Sequence, residues 1–291
     1  MECGDYGRVI ETLHALISEL EHDHLLLEPN RLRQRIEALD RLENYLAFVP
    51  GADLHDRMKT LCADLEAANQ RLYQSIRQEI QRGMGAERML EWAPAVGSNG
   101  HAGQQVDGES YDYLDTLLSG VLQLDEPAPG IAELAAEMVF YQPTPARHIF
   151  ELIGSAKIAE RDVLIDLGSG LGHVPLLAAI CTGARCIGIE WEAAYVDCAQ
   201  RCANALNLAN VTFVRQDARE ADLSMGTMFY LYTPFTGAML RDVLTRLRQE
   251  AVTREIRICT LGPCTPIIAR EPWLEYVNVA SIDQPALFRS V

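Results

Sequence analysis

Residues 163–179 read VLIDLGSGLGHVPLLAA: an apolar run of strand length, three alternate glycines, then an apolar run of helical length. A glycine turn between a strand and a helix presents bare backbone N–H groups at a helix N-terminus. Phosphate, dinucleotide and sulfonium ligands all use such a place. A dinucleotide turn needs G-x-G-x-x-G, and here His173 stands where its third glycine would fall; a P-loop needs Gly-Lys-Ser/Thr, which is absent.

The turn sits in a regular alternation. Strand-like runs at 163–167, 185–190, 211–215, 227–232 and 255–261 are interleaved with helical patterns at 171–181, 192–207 and 237–250. Two further runs, LEYVNVAS and ALFRSV, lie too close together for a helical crossover. The pattern predicts an α/β fold: a doubly wound, mostly parallel seven-strand sheet with an antiparallel C-terminal hairpin. It is preceded by an all-α region, because apolar residues recur at helical spacing in three sets. These sets are Val9, Leu13, Leu16 and Leu20; Leu32, Ile36, Leu39, Leu42, Leu46 and Val49; and Leu54, Met58, Leu61, Leu65, Ala68, Leu72, Ile76 and Ile80. The expected organisation is a helical domain over 1–95, a linker and cap segment over 96–128 that includes VGSNGHAGQQVDGES, and an α/β domain over 129–291.

The net charge is −16, and residues 1–128 hold 11 Lys+Arg against 23 Asp+Glu. Such a chain repels phosphate backbones, so nucleic acid is an unsuitable partner, whereas neutral small molecules and basic proteins suit it. Among eight cysteines no CxxC pair occurs; Cys198 and Cys202, four apart on a helix, read as buried small side chains, and no metal is expected. No apolar leader opens the sequence and no apolar run reaches the ~20 residues of a membrane helix, so a cytoplasmic protein is expected. The apolar stripes of the helical domain also allow it to dimerise or to cover the ligand site.

The turn reads Asp166-x-Gly168-x-Gly170-x-Gly172. This resembles motif I of the class I, Rossmann-like S-adenosylmethionine-dependent methyltransferases, over roughly residues 138–291. The resemblance implies S-adenosyl-L-methionine as cofactor. Its amino-acid end is a zwitterion, so Asp166 suits the ammonium and the amides of the turn suit the carboxylate. It further implies that Glu190, ending the second strand, takes the ribose hydroxyls, and that Asp217, ending the third, meets the adenine amino group. A helix N-cap is the structural alternative for Asp217. Upstream, in MVFYQPTPARHIF, Tyr141, Gln142 and Thr144 resemble cofactor-contacting residues of amino-methylating members. Thr144-Pro145 also reads as an N-cap with a first-turn proline.

The acceptor is expected beyond strand four, where Tyr232-Thr233-Pro234-Phe235 resembles the Asx/Ser-Pro-Pro-aromatic loop of amino methyltransferases. Tyr replaces the polar residue and Thr the first proline, so Tyr232, Thr233 and Phe235 are acceptor-positioning candidates. His173 after the turn, and Thr260, Cys264 and Thr265 in CTLGPCT, are further candidates for lining the site. DLGSGLGHV with GIEWE is most similar to the non-SET, disruptor-of-telomeric-silencing histone lysine methyltransferases, although their Asn-rich loop after strand four is missing here. The expected function is methyl transfer to a nitrogen or oxygen of a small molecule by in-line displacement. The alternatives are a protein-lysine methyltransferase acting on a basic protein, and a non-catalytic cofactor-binding or scaffolding protein.

Overall fold

The computed structural model describes residues 3–45, 51–93, 112–124, 139, 141–277 and 283–291. Leu46, Val49, the segment VGSNGHAGQQVDGES and most of 125–140 lie outside the described residues. The chain divides into two compact units, Met1–Ile76 and Arg77–Val291.

The first unit holds helices α1 (Cys3–His22), α2 (Leu32–Glu43) and most of α3 (Ala52–Gln81), with two short 3₁₀ turns between α1 and α2. The apolar positions that recur every three or four residues form its core. Leu13, Ile17 and Leu20 meet Ala38 and Leu42 of α2 and Leu54, Met58, Leu61 and Leu65 of α3. The expected boundary near residue 95 differs from the observed division, which falls within α3. Helices α4 (Gly85–Leu90) and α5 (Tyr113–Leu122) therefore go with the sheet.

A buried cation braces the first unit. Arg35 is fully buried, and its guanidinium donates to Asn69 Oδ1 at 2.5 Å and to the carbonyls of Leu26 at 2.7 Å and Glu28 at 2.5 Å. Its remaining terminal nitrogen has no partner. Burial lowers its pKa, and no carboxylate offsets the desolvation.

The second unit carries a seven-strand sheet in the order β3-β2-β1-β4-β5-β7-β6. The strands are β1 (Val163–Leu167), β2 (Arg185–Glu190), β3 (Val211–Arg215), β4 (Met228–Tyr232), β5 (Arg257–Leu261), β6 (Leu274–Tyr276) and β7 (Ala286–Ser290). β1 to β5 pair in parallel, and β7 runs antiparallel between β5 and β6. The connecting helices are α6 (Ala146–Ala156), α7 (His173–Thr182), α8 (Ala193–Ala205), α9 (Gly237–Thr253) and the short α10 (Thr265–Ile268). The order reverses between β1 and β4, and ligands of open α/β sheets bind at such a switch point, outside the strands' carboxyl ends.

Helix α5 starts on a reciprocal cap: Asp112 accepts from the Leu114 amide and Asp115 from the Asp112 amide, both at 2.7 Å. The second oxygen of Asp115 takes the Ala146 amide, also at 2.7 Å, so a residue of α5 caps α6. This corrects the expected Thr144 cap. Helix α6 begins at Ala146 with Pro145 in the cap position and no side-chain cap of its own, and the Thr144 hydroxyl turns inward instead.

Asn69→Ala should destabilise the first unit by about 2 kcal/mol, because it strands a buried charged donor. Chemical denaturation followed by circular dichroism would read this as an earlier midpoint; an unchanged midpoint would show that Arg35 does not need the amide.

Candidate active site

The carboxyl ends of β1 to β4 surround a cavity of about 910 Å³. Its lining includes Tyr141, Gln142, Thr144, Asp166, Gly168, His173, Glu190, Asp217, Tyr232, Thr233 and Phe235, which gathers most of the residues that the sequence singled out.

The glycine turn works by close approach. A Cβ on Gly168 would stand 2.3 Å from Pro234 of the loop after β4, and one on Gly170 would stand 2.0 Å from the Tyr141 ring. Both also have positive φ, +90° and +52°. Gly170 and Gly172 do not line the cavity. Their part is to admit Tyr141 and Phe213, which pack where side chains would otherwise be.

Four amides of the turn are bonded within the fold. Gly168 and Ser169 both donate to the Ile189 carbonyl, at 2.9 and 3.0 Å, Gly172 donates to Ser169 at 2.8 Å, and Gly170 donates to Glu190 at 2.8 Å. These four are engaged, whereas the amides of His173 and Val174, at the start of α7 on the cavity wall, have no partner among the described residues and stay available to an anionic group. Pro175, in the first turn of α7, removes another donor.

Asp166 is 3 % exposed and accepts no side-chain or backbone hydrogen bond among the described residues. Burial, and then the charge of Glu190, raise its pKa well above the usual carboxylate range. Glu190 is better supported: its two oxygens accept the amides of Gly170 and Glu192, each at 2.8 Å, and these oppose the upward push of burial. Asp217 is fixed by Arg219, whose side chain reaches it at 2.6 Å and whose amide reaches it at 2.8 Å. The guanidinium holds its pKa down. A turn follows Asp217 rather than a helix, so the carboxylate organises that turn and is no helix cap.

Across the turn, Tyr141 hydrogen-bonds His173 Nδ1 at 3.1 Å, and its ring lies 5.0 Å from that of Tyr195. Burial pushes His173 down to about 4, so it is neutral at pH 7. At the end of β4, Thr233 is a non-glycine residue at φ +40°, latched by its hydroxyl. That hydroxyl donates to the Leu261 carbonyl and accepts the Cys264 amide, both at 3.1 Å. Phe235 is buried in the main core and touches the cavity from beneath.

Two candidates fall elsewhere. Thr260 and Thr265 bond each other at 2.8 Å in the interior, and with Cys264 they stay off the cavity wall, to which Pro263 contributes. Cys198 and Cys202 are buried, and the Cys202 thiol donates to the Leu122 carbonyl at 3.2 Å. Sequence reasoning missed Ser169, Trp191, Tyr195, Gln216, Tyr230 and Met239 as lining residues. For Tyr230 a signal was present, since period-two alternation puts it on the same face of β4 as Tyr232.

The residues fit the cofactor that the resemblance implied. Asp166 is a buried carboxyl with no hydrogen-bond partner among the described residues, which suits a cation, and two further acids stand at the ends of β2 and β3. The fold is that of the class I S-adenosylmethionine-dependent methyltransferases, and the site suits their cofactor. Residues 137–220, which hold the turn and all three acids, match the family profile described as "DOT1: Histone methylation protein DOT1". Among solved structures the chain is similar to an RNA methyltransferase from Salinibacter ruber in complex with S-adenosyl-L-homocysteine. That pair shows 27 % identity over 51 % of this chain and 92 % of that one, at a TM-score of 0.40. It is also similar to the putative methyltransferase yhhF from Escherichia coli (15 % identity, 54 % and 90 % covered, TM-score 0.43). A third is the precorrin-6y C5,15-methyltransferase from Geobacter metallireducens (17 %, 55 % and 93 %, 0.39). No curated sequence matches. Among the described residues no helix is long and apolar enough to cross a membrane.

The raised pKa of Asp166 has a pH signature. The folded state holds this proton above the pH at which the unfolded chain releases it, near 4. Stability from this group is therefore complete below pH ~4 and is lost as pH rises through the folded pKa. Asp166→Asn without ligand should melt higher than the parent at pH 8, and the gap should close towards pH 4. A gap independent of pH in thermal melts would show that Asp166 titrates normally.

Proposed function

We propose that the chain transfers a methyl group from S-adenosylmethionine to a nitrogen or oxygen nucleophile of a small molecule. What supports this is how the cavity wall divides. Every carboxylate on it (Asp166, Glu190, Glu192, Asp217) belongs to the ends of β1 to β3. The β4 side presents Tyr230, Tyr232, Thr233, Phe235 and Met239, all uncharged at neutral pH. One side suits a cation, and the other suits a neutral acceptor.

When bound, the cofactor supplies an activated sulfonium methyl group. Asp166 then meets a positive charge, which offsets the cost of burying its own. Glu190 is fixed by two amides and keeps a lone pair on each oxygen for the ribose hydroxyls. Asp217, fixed by Arg219, offers its remaining lone pairs to the adenine amino group. Displacement on an activated methyl group needs alignment and exclusion of water more than acid–base help. The loop from Tyr232 to Phe235, latched through Thr233, is suited to that task. With no carboxylate at that end among the described residues, the acceptor arrives as a neutral amine or as a hydroxyl acidic in its own right.

A second reading has its own support. The DOT1 match over 137–220 and the net charge of −16 favour a basic protein as acceptor.

Methyl-tritiated S-adenosylmethionine offered to panels of amines and phenols, and in parallel to basic proteins, separates the readings. Label is expected in the small molecules; label only in protein would favour the second reading, and none anywhere would remove both. Phe235→Leu keeps core volume but removes the ring. It should lower turnover roughly tenfold and leave S-adenosylhomocysteine affinity within about twofold. Calorimetry showing an equal loss of cofactor affinity would place Phe235 at the cofactor and not the acceptor.

A further inference from the structure

The cavity floor contains a hydroxyl pair that the known elements of the motif leave without a task. Tyr230 is 2 % exposed and bonds Thr144 Oγ1 at 3.1 Å; among the described residues neither hydroxyl has another partner. Two hydroxyls own two hydrogens, and one bond between them uses one. One O–H is therefore left over in a buried place, where an unmade hydrogen bond is costly. Both residues line the cavity.

The row across the sheet says what stands beside that O–H. Tyr230 pairs with Asp166 in register across β4 and β1, so the two side chains leave the same face of the sheet as neighbours. Gly188 is the partner of Asp166 on the other side and adds no side chain to the row. The floor thus offers a carboxylate without a donor beside a hydroxyl without an acceptor. That is the complement of an α-amino acid zwitterion, ammonium on one side and carboxylate on the other. Four of the nearby turn amides are already bonded to Ile189, Glu190 and Ser169, and the others lie across the turn at the start of α7 rather than in this row of the sheet.

We propose that Tyr230 binds the carboxylate of the cofactor's amino-acid end, donating its phenolic hydrogen there while Thr144 donates to the phenolic oxygen. The phenol is the more acidic hydroxyl and hence the stronger donor to an anion. Asp166 takes the ammonium beside it. This assignment rests on the methyltransferase reading and extends it to a residue on β4.

The test compares two ligands by calorimetry. S-adenosylhomocysteine carries the amino-acid end, and 5′-methylthioadenosine lacks it. Tyr230→Phe should weaken S-adenosylhomocysteine about tenfold, as expected for a lost hydrogen bond to a charged group. Methylthioadenosine should stay within about twofold, which also shows that the pocket is intact. Thr144→Val should weaken S-adenosylhomocysteine less than Tyr230→Phe does. Equal losses for both ligands in Tyr230→Phe, or no loss, would overturn the assignment, as would a larger loss in Thr144→Val. Wild-type protein binding neither nucleoside would instead remove the methyltransferase reading itself, and the assignment with it.

Discussion

Everything at this site depends on how closely other parts of the chain approach the glycine turn. Pro234 packs where a side chain at 168 would stand, Tyr141 where one at 170 would, and Phe213 where one at 172 would. The loop after β4, the segment leading into α6 and strand β3 are thus all gauged against one stretch of backbone. Any Cβ there would have to push a ring or a proline aside by more than an ångström, and well-packed interiors do not yield that much cheaply. The glycines therefore hold the cavity's walls at their spacing. Gly168 is the only one of the three that faces the cavity.

This reverses a common view of such turns. Their amides are often pictured as open donors waiting for an anion. Here the Ile189 carbonyl takes two of them, and Glu190 takes a third while remaining available on its other lone pairs. Bonds from four of its amides hold the turn in shape. Its contribution to binding passes through the carboxylates that it holds in place.

The sheet was legible because parallel strands buried on both faces read as short apolar runs, and helical crossovers separate them. β1, β2 and β3 begin and end where the sequence placed them. The three acids were legible for the same reason, since a strand end is a position that pattern reading can locate. What the sequence hid is pairing across distance. Tyr141 reaches His173 over 32 residues, Asp115 reaches Ala146 over 31, and Thr144 reaches Tyr230 over 86. Each of these depends on which elements become neighbours, a fact that local periodicity does not contain. Thr144 shows the consequence. Its local context, Thr before Pro before a helical pattern, reads as a cap, yet a carboxylate from another helix caps α6 and frees the hydroxyl for the cavity floor.

The division of the cavity also bears on how a catalytic cycle turns. Asp166 and Glu190 stand close enough for the charge of one to resist ionisation of the other, so together they favour a ligand that brings positive charge. A sulfonium carries that charge before transfer, and the thioether left afterwards does not. The acidic side therefore attracts the reactant more strongly than the product, and the difference arises where the bond breaks. That difference eases release of the product; it adds nothing to the rate of transfer, which gains only from interactions stronger in the transition state than in the reactant. The neutral wall on the β4 side fits the same logic. If the acceptor is an amine, as proposed, a carboxylate there would hold its cationic methylated product, whereas an uncharged lining attracts that product less.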